Sequence, residues 1–85
     1  MYTLLIKRSA EQDLRRLPRV LFDRVNERIL VLREEPRPSG VRKLVGALEG
    51  WRIRVGDYRI LYQIDEAART VTVVRVKHRR EVYRS

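Results

Sequence analysis

The 85-residue sequence predicts an α+β domain of order βααβββ, two amino-terminal helices packed on one face of a small, mainly antiparallel sheet. Three observations predict it. Leu21, Val25, Ile29 and Leu32 recur at steps of four, four and three, the spacing of a single apolar stripe on a helix. The carboxyl-terminal part alternates with period 2 instead, over Trp51 to Val55, Tyr58 to Ile64 and Thr70 to Val76, as strands do. Between the first two of these runs lies Gly56-Asp57, a two-residue turn of the kind that closes a tight β-hairpin.

Taken in order, Tyr2 to Ile6 is a short β-prone run and forms the first strand. Ser9 with Gln12 three residues later reads as a capping box, opening a short helix from about Ala10 to Leu17. Pro18 interrupts that pattern and opens the second helix, whose Arg24, Arg28 and Arg33 are interleaved with Asp23, Glu27, Glu34 and Glu35. Those charges predict i,i+4 ion pairs on a solvated helix surface. Pro36-Arg37-Pro38-Ser39-Gly40 is a breaker-rich loop, and the run from Lys43 to Gly50 is a compact connector with glycine at its end.

The hairpin turn pairs Val55 with Tyr58, Arg54 with Arg59, Ile53 with Ile60 and Trp51 with Tyr62, which leaves Arg52 on the same side as Arg54 and Arg59. Pairing Ile64 with Thr70 in the next turn then sets Arg75 opposite Arg59, with Lys77 and Arg79 continuing that face. In this register Leu61, Val71 and Val73 share the open side. Trp51, Ile53, Ile60, Tyr62, Val74 and Val76 face the helices. A slip of one residue would invert the third strand of this set.

Composition narrows the function. Twenty basic residues against eleven acidic give a net charge of +9 and a pI of about 11.0, the electrostatic footprint of a protein that meets nucleic acid or an acidic partner. The absence of cysteine excludes a disulfide framework and a Cys-ligated zinc, and a lone histidine excludes a histidine-rich metal site. Leu4-Leu5-Ile6 runs straight into Lys7-Arg8, so the amino terminus carries no signal-peptide pattern, and the expectation is a soluble cytoplasmic protein with no membrane partner.

The chemistry concentrates on the hairpin. Like charges directly opposite on paired strands are destabilising, so a face that keeps Arg52, Arg54 and Arg59 together is suited to an anion. Phosphate is the obvious one, because a planar guanidinium donates two parallel hydrogen bonds to its oxygens. The simpler reading is a solvated arginine face without a ligand. The tail adds His78, Arg79, Arg80 and Tyr83 just past the last strand.

Lys43-Leu-Val-Gly, Trp51-Arg-Ile-Arg-Val-Gly-Asp-Tyr-Arg-Ile-Leu-Tyr62, the closing His78-Arg-Arg-Glu-Val-Tyr-Arg84 and the Ser-Ala-x-x-Asp-Leu opening of the first helix together resemble the RelE/ParE superfamily of type II toxin–antitoxin toxins. The resemblance covers nearly the whole chain and implies a single toxin domain over residues 1–85 with a microbial-RNase-like, RelE-like sheet. For the RelE branch it further implies a small basic endoribonuclease that cuts mRNA in the ribosomal A site, uses no cofactor or metal, and is silenced by a cognate antitoxin. The antitoxin segment expected on the basic open face is acidic, amphipathic and helical.

Carried over by position, the implied catalytic set is Arg52, Arg54, Arg59, Arg79 and Tyr83, and Lys43, Arg75, Lys77 and His78 complete the expected RNA-binding surface. In the reaction this implies, the ribose 2′-OH would attack the adjacent phosphorus, leaving a 2′,3′-cyclic phosphate and a 5′-OH. Tyr83 is the favoured proton-transfer group and His78 the alternative. Two departures stand out. Well-known RelE proteins carry lysines where this chain has Arg52 and Arg54, and the interval from Arg79 to Tyr83 is shorter than in some members. Two other readings remain open: a ParE-like toxin that inhibits DNA gyrase without cutting RNA, and a basic nucleic-acid-binding module.

Overall fold

The computed structural model describes residues 1–44 and 50–84, with side chains described as far as Glu81. Its elements are β1 (Thr3–Ile6), α1 (Arg8–Arg15), α2 (Arg19–Val31), β2 (Arg42–Lys43), β3 (Trp51–Val55), β4 (Tyr58–Asp65), β5 (Thr70–His78) and α3 (Arg79–Arg84). The α+β class follows, with β2 and α3 added to the expected order. Two residues of β2 are too few for a periodic signal, and the expected connector lies mostly outside the described residues, since residues 45–49 fall there. The strands form one sheet in the order β1-β5-β4-β3-β2, with β1 parallel to β5 and the other neighbours antiparallel.

One face of this sheet is the core. Ile53, Val55, Ile60, Tyr62, Val71, Val73 and Val76 pack with Ala10 and Leu14 of α1 and with Val25, Ile29 and Leu32 on or just beyond α2. The α2 stripe is therefore the predicted one, with Leu21 half-buried at its start. No helix among the described residues is long and apolar enough to cross a membrane.

The capping box does not form. The first helix begins at Arg8 without a side-chain cap, and the Ser9 hydroxyl instead donates to the Val74 carbonyl at 2.7 Å. The cause lies in the sheet, because β1 pairs with β5 only as far as Val73 and, among the described residues, the rest of that β5 edge lacks a partner strand. Unpaired backbone polar groups are costly to bury, and α1 supplies their partners. Ser9 takes one carbonyl, and the Asp13 carboxylate accepts the Val76 N–H at 2.9 Å.

The register of β5 also corrects the expectation. Asp65, not Ile64, pairs with Thr70, and a bulge follows, with Tyr62 opposite Val73 but Leu61 opposite Arg75. Val71 and Val73 are consequently fully buried and not on the open face, while Val74 sits half-buried at the bulge. Arg75 is not opposite Arg59; Lys77 is. Two forces select this arrangement. A tight turn, with Asp65 Oδ1 accepting the Ala68 N–H at 3.0 Å and Arg69 at φ 54°, fixes the start of the strand. Burying Val71 and Val73 outweighs the unpaired residue, and the bulge returns Val76 to the core, with each apolar side chain worth roughly 1.5–3 kcal/mol on burial.

Candidate nucleic-acid interface

The β3–β4 hairpin forms in the predicted register, with Gly56 at φ 59° supplying the left-handed turn residue. Arg54 stands opposite Arg59, Arg59 opposite Lys77, and Arg42 of β2 opposite Arg52. Because side chains alternate along a strand, these five cations share the sheet face away from the helices. Arg59 is almost buried, at 9% exposure, and its Nη1 donates to the carbonyls of Tyr58 (3.2 Å) and Gly56 (3.5 Å). Arg54 Nε donates to the same Gly56 carbonyl at 3.1 Å. Two facing guanidiniums are thus anchored on one turn carbonyl, and none of the ion pairs among the described residues involves Arg42, Arg52, Arg54 or Arg59.

Beside the hairpin lies a notch of about 440 Å³ lined by Arg28, Ser39, Gly40, Arg42, Arg52, Ile53, Arg54 and Arg59. Its outer wall is the Pro36–Gly40 loop, held by the buried Tyr62 phenol, which donates to the Pro36 carbonyl at 2.7 Å, and turned at Gly40, whose φ is 88°. Burial pushes the Tyr62 pKa up to about 12, against the opposing pull of Arg37 and Arg28. Arg28 departs from its predicted role. Among the described residues the i,i+4 pairs are Glu11–Arg15 at 2.7 Å and Arg19–Asp23 at 3.6 Å, and Arg24, Arg28 and Arg33 join none.

A larger hollow, about 970 Å³, opens at the opposite end of the sheet among Leu5, Arg37, Lys43, Trp51, Gln63, Asp65, Glu66 and Thr72. Its two carboxylates make it a poor receptor for phosphate. Lys43 belongs there, on the side of β2 opposite Arg42, with its ammonium 5.9 Å from the Trp51 ring and Arg37 at 5.1 Å from the same ring. The structure therefore does not bring Lys43 into the arginine face.

Arg75 is also set apart. Its Nε and Nη2 donate to Asp13 at 2.8 and 3.1 Å. Burial raises the Asp13 pKa, but the Arg75 hydrogen bond, the Val76 N–H and the charges of Arg75 and Arg16 together hold it below the ordinary carboxylate value. The Arg75 pKa is raised, first by that hydrogen bond and also by the charges of Asp13 and Glu81, while burial works against it. Arg75 is a neutralised brace between α1 and β5.

His78 and the start of α3 meet the hairpin tip. The Arg79 N–H donates to the Asp57 carbonyl at 2.7 Å, tying the start of α3 to the same turn that anchors Arg54 and Arg59. His78 pairs with Tyr58, their rings meeting edge-on at 5.3 Å, and its Nδ1 accepts the Arg80 N–H at 3.3 Å. With Nδ1 accepting, a neutral imidazole carries its proton on Nε2 and presents a donor there. Tyr83 follows Arg79 by four residues on α3, and its side chain lies outside the described residues.

Sequence reasoning missed Arg28 and Arg42. In the sequence Arg28 reads as part of a solvated helix surface, and its destination depends on where the loop and β3 edge lie. Arg42 required knowledge of β2.

Comparison with known proteins agrees with this geometry. The toxin RelG of Mycobacterium tuberculosis (strain ATCC 25618 / H37Rv) is 38% identical over 87 residues, covering 98% of this chain and 97% of that protein. A chain in the crystal structure of the toxin–antitoxin complex RelBE2 from Mycobacterium tuberculosis superposes with a TM-score of 0.80 at 34% identity, over 91% of this chain and 96% of that one. For the archaeal RelE–RelB complex from Pyrococcus horikoshii OT3 the TM-score is 0.81 at 30% identity, over 92% and 94%. The isolated RelE toxin of E. coli, at 22% identity and a TM-score of 0.78 over 99% and 98%, shares the fold.

A small cationic α+β protein with the RelE toxin fold is thereby defined. Residues 4–83 match the family described as the ParE toxin of type II toxin–antitoxin systems, parDE, and the chain belongs to that family, within the RelE/ParE superfamily.

Proposed function

We propose that the chain is a toxin that cuts mRNA on the ribosome, silenced by a cognate antitoxin. The observation that carries this reading is the convergence of Arg52, Arg54 and Arg59 on one face, with no carboxylate ion pair among the described residues, beside the start of α3. Relatives solved as toxin–antitoxin complexes support an antitoxin partner, and a toxin acting on ribosomes works in the cytoplasm.

In the proposed reaction the 2′-oxygen bonds to phosphorus as the P–O5′ bond breaks. Tyr83 is the proposed acceptor of the 2′-OH proton, and the departing 5′-oxygen, held by Arg79, takes a proton from water to end as 5′-OH. Arg52, Arg54 and Arg59 face the equatorial oxygens of the phosphorane. Arg59 is the best prepared of these, since two carbonyl bonds and near burial fix its guanidinium before substrate arrives. His78 is the less available acceptor, because its Nδ1 already accepts the Arg80 N–H. Arginine stays protonated at any usable pH, so the cluster stabilises charge without accepting a proton. Orienting the substrate then falls to the ribosome, and orientation supplies up to about 7–11 kcal/mol in favourable cases.

The test is to incubate the toxin with translating ribosomes and map mRNA ends. Codon-spaced cuts bearing 5′-OH termini are the expected result, and intact mRNA overturns the proposal. The ParE family match favours one alternative, a toxin directed at DNA gyrase, for which the same assay gives intact mRNA and gyrase-dependent DNA breaks.

A further inference from the structure

We propose that Arg28 forms a second phosphate-binding subsite, on the α2 side of β3, through which a single RNA strand passes over the sheet edge. This inference rests on the nuclease reading for its ligand and on four observations for its place.

The strand β2 pairs only with Trp51 and Arg52, so the outer edge of β3 beyond Arg52 has no partner strand among the described residues. Nothing there blocks a chain from crossing between the cationic sheet face and α2. Next, Arg28 and Arg54 line both the 440 Å³ notch and a neighbouring hollow of about 280 Å³ that also contains Arg24, Glu27, Val55 and Gly56. The two hollows share this arginine pair as a common wall. Third, Arg28 is half-buried, unlike the fully solvated cations of α2, and it joins no ion pair among the described residues. A guanidinium partly withdrawn from water, with four others lining the same notch, is positive charge without a counter-anion. Finally, the anchored Pro36–Gly40 loop gives this track a fixed outer wall.

A polyanion with regularly spaced charges fits these features: one phosphate sits on Arg52, Arg54 and Arg59 and the next on Arg28 at the far side of the edge. An amphipathic acidic peptide fits less well, because the notch lining is guanidinium, hydroxyl and glycine, with Ile53 as its single apolar side chain.

The experiment measures binding, by fluorescence anisotropy across a salt series, of short RNA probes whose 2′-OH groups are replaced by hydrogen so that none can be cut. Arg28→Gln is expected to weaken binding of a tetranucleotide several-fold and to reduce the slope of log K against log salt by about 0.7, the loss of one phosphate contact on a single strand. Its effect should vanish on a probe carrying a single phosphate. Arg19→Gln, a change at an exposed residue paired with Asp23 away from the notch, is the reference for loss of net charge. Equal behaviour of the two variants on every probe overturns the subsite. Loss of an acidic peptide with RNA binding intact also overturns it, assigning the surface to a protein instead. Because the probes are uncleavable, a failure of the nuclease proposal shows only in the mRNA-end assay and leaves this result readable.

Discussion

Arg75 and Arg54 lie two strands apart on the same open face, yet their surroundings are opposite. Arg75 is held by the carboxylate of Asp13, with Glu81 adding a further negative charge, and the pair closes a bare stretch of sheet edge. Arg54 faces Arg59, with Lys77 and Arg52 as neighbours and only carbonyl oxygens as partners. An arginine given its counter-charge by the fold serves the fold. On the proposed reading, one denied it keeps its charge for an arriving anion, which would offset the cost of assembling like charges, roughly 0.2–1 kcal/mol per opposed pair.

The sharpest way to break this contrast is to neutralise one member of each group. Arg54→Gln is expected to lower ribosome-dependent mRNA cleavage by about 10²–10³-fold, the usual cost of losing one prepositioned donor, while its thermal midpoint stays at or slightly above that of the wild type. Cleavage kinetics and calorimetry on the same preparation check both halves. A lowered midpoint would show that Arg54 belongs with Arg75 as a structural residue. Tyr83→Phe is the next largest, with cleavage down about 10²-fold and oligonucleotide affinity retained, as removal of a general acid–base group predicts. Wild-type cleavage in that variant removes the phenol from the mechanism.

Disrupting the other arginine gives the mirror image. Asp13→Asn is expected to destabilise the protein by about 2 kcal/mol, less than the figure for a fully buried pair because water reaches part of Arg75. The pH dependence has a definite sign. The folded pKa of Asp13 lies below its ordinary 3.8, so its contribution is fully present above pH 3.8 and is lost as pH falls through the lower, folded value. Urea titrations at pH 3 and pH 6 should therefore show a smaller difference for Asp13→Asn than for the wild type. An equal difference would mean that the ion pair does not control the acid limb.

The contrast also explains what the sequence could disclose. The hairpin was legible because its turn residues and its alternation act over a few neighbours, and the pairing of Arg54 with Arg59 follows from Gly56-Asp57 alone. The apolar stripe of α2 was legible for the same reason. Arg75 was misplaced because its position depends on a bulge between β4 and β5, and its partner Asp13 lies sixty-two residues away in sequence. Ser9 looked like a helix cap because its hydroxyl is competent for that role; a bare strand edge offered a better partner. Arg28 and Arg42 join the candidate site only through the loop and the short strand that follow α2, contacts with no local signature.

The smallest effect tests whether the two regions are mechanically independent. Tyr62 is buried in the shared core, and its hydroxyl reaches the carbonyl of Pro36, the first residue of the loop that walls the notch. Tyr62→Phe removes that bond and leaves the carbonyl unpaired, at a cost of about 1 kcal/mol. Its folded pKa of about 12 exceeds the ordinary 10.0, so the stability it contributes is fully present below pH 10 and is lost as pH rises toward 12. Alkaline unfolding of the wild type should therefore steepen in that interval, and the variant should lack the added slope. Because only the loop is loosened, RNA affinity should fall through the notch while the Asp13–Arg75 brace and the acid limb stay unchanged. If instead the acid limb shifts with Tyr62→Phe, the core transmits strain between the two arginine environments, and the division between structural and ligand-directed arginines holds only for their charges.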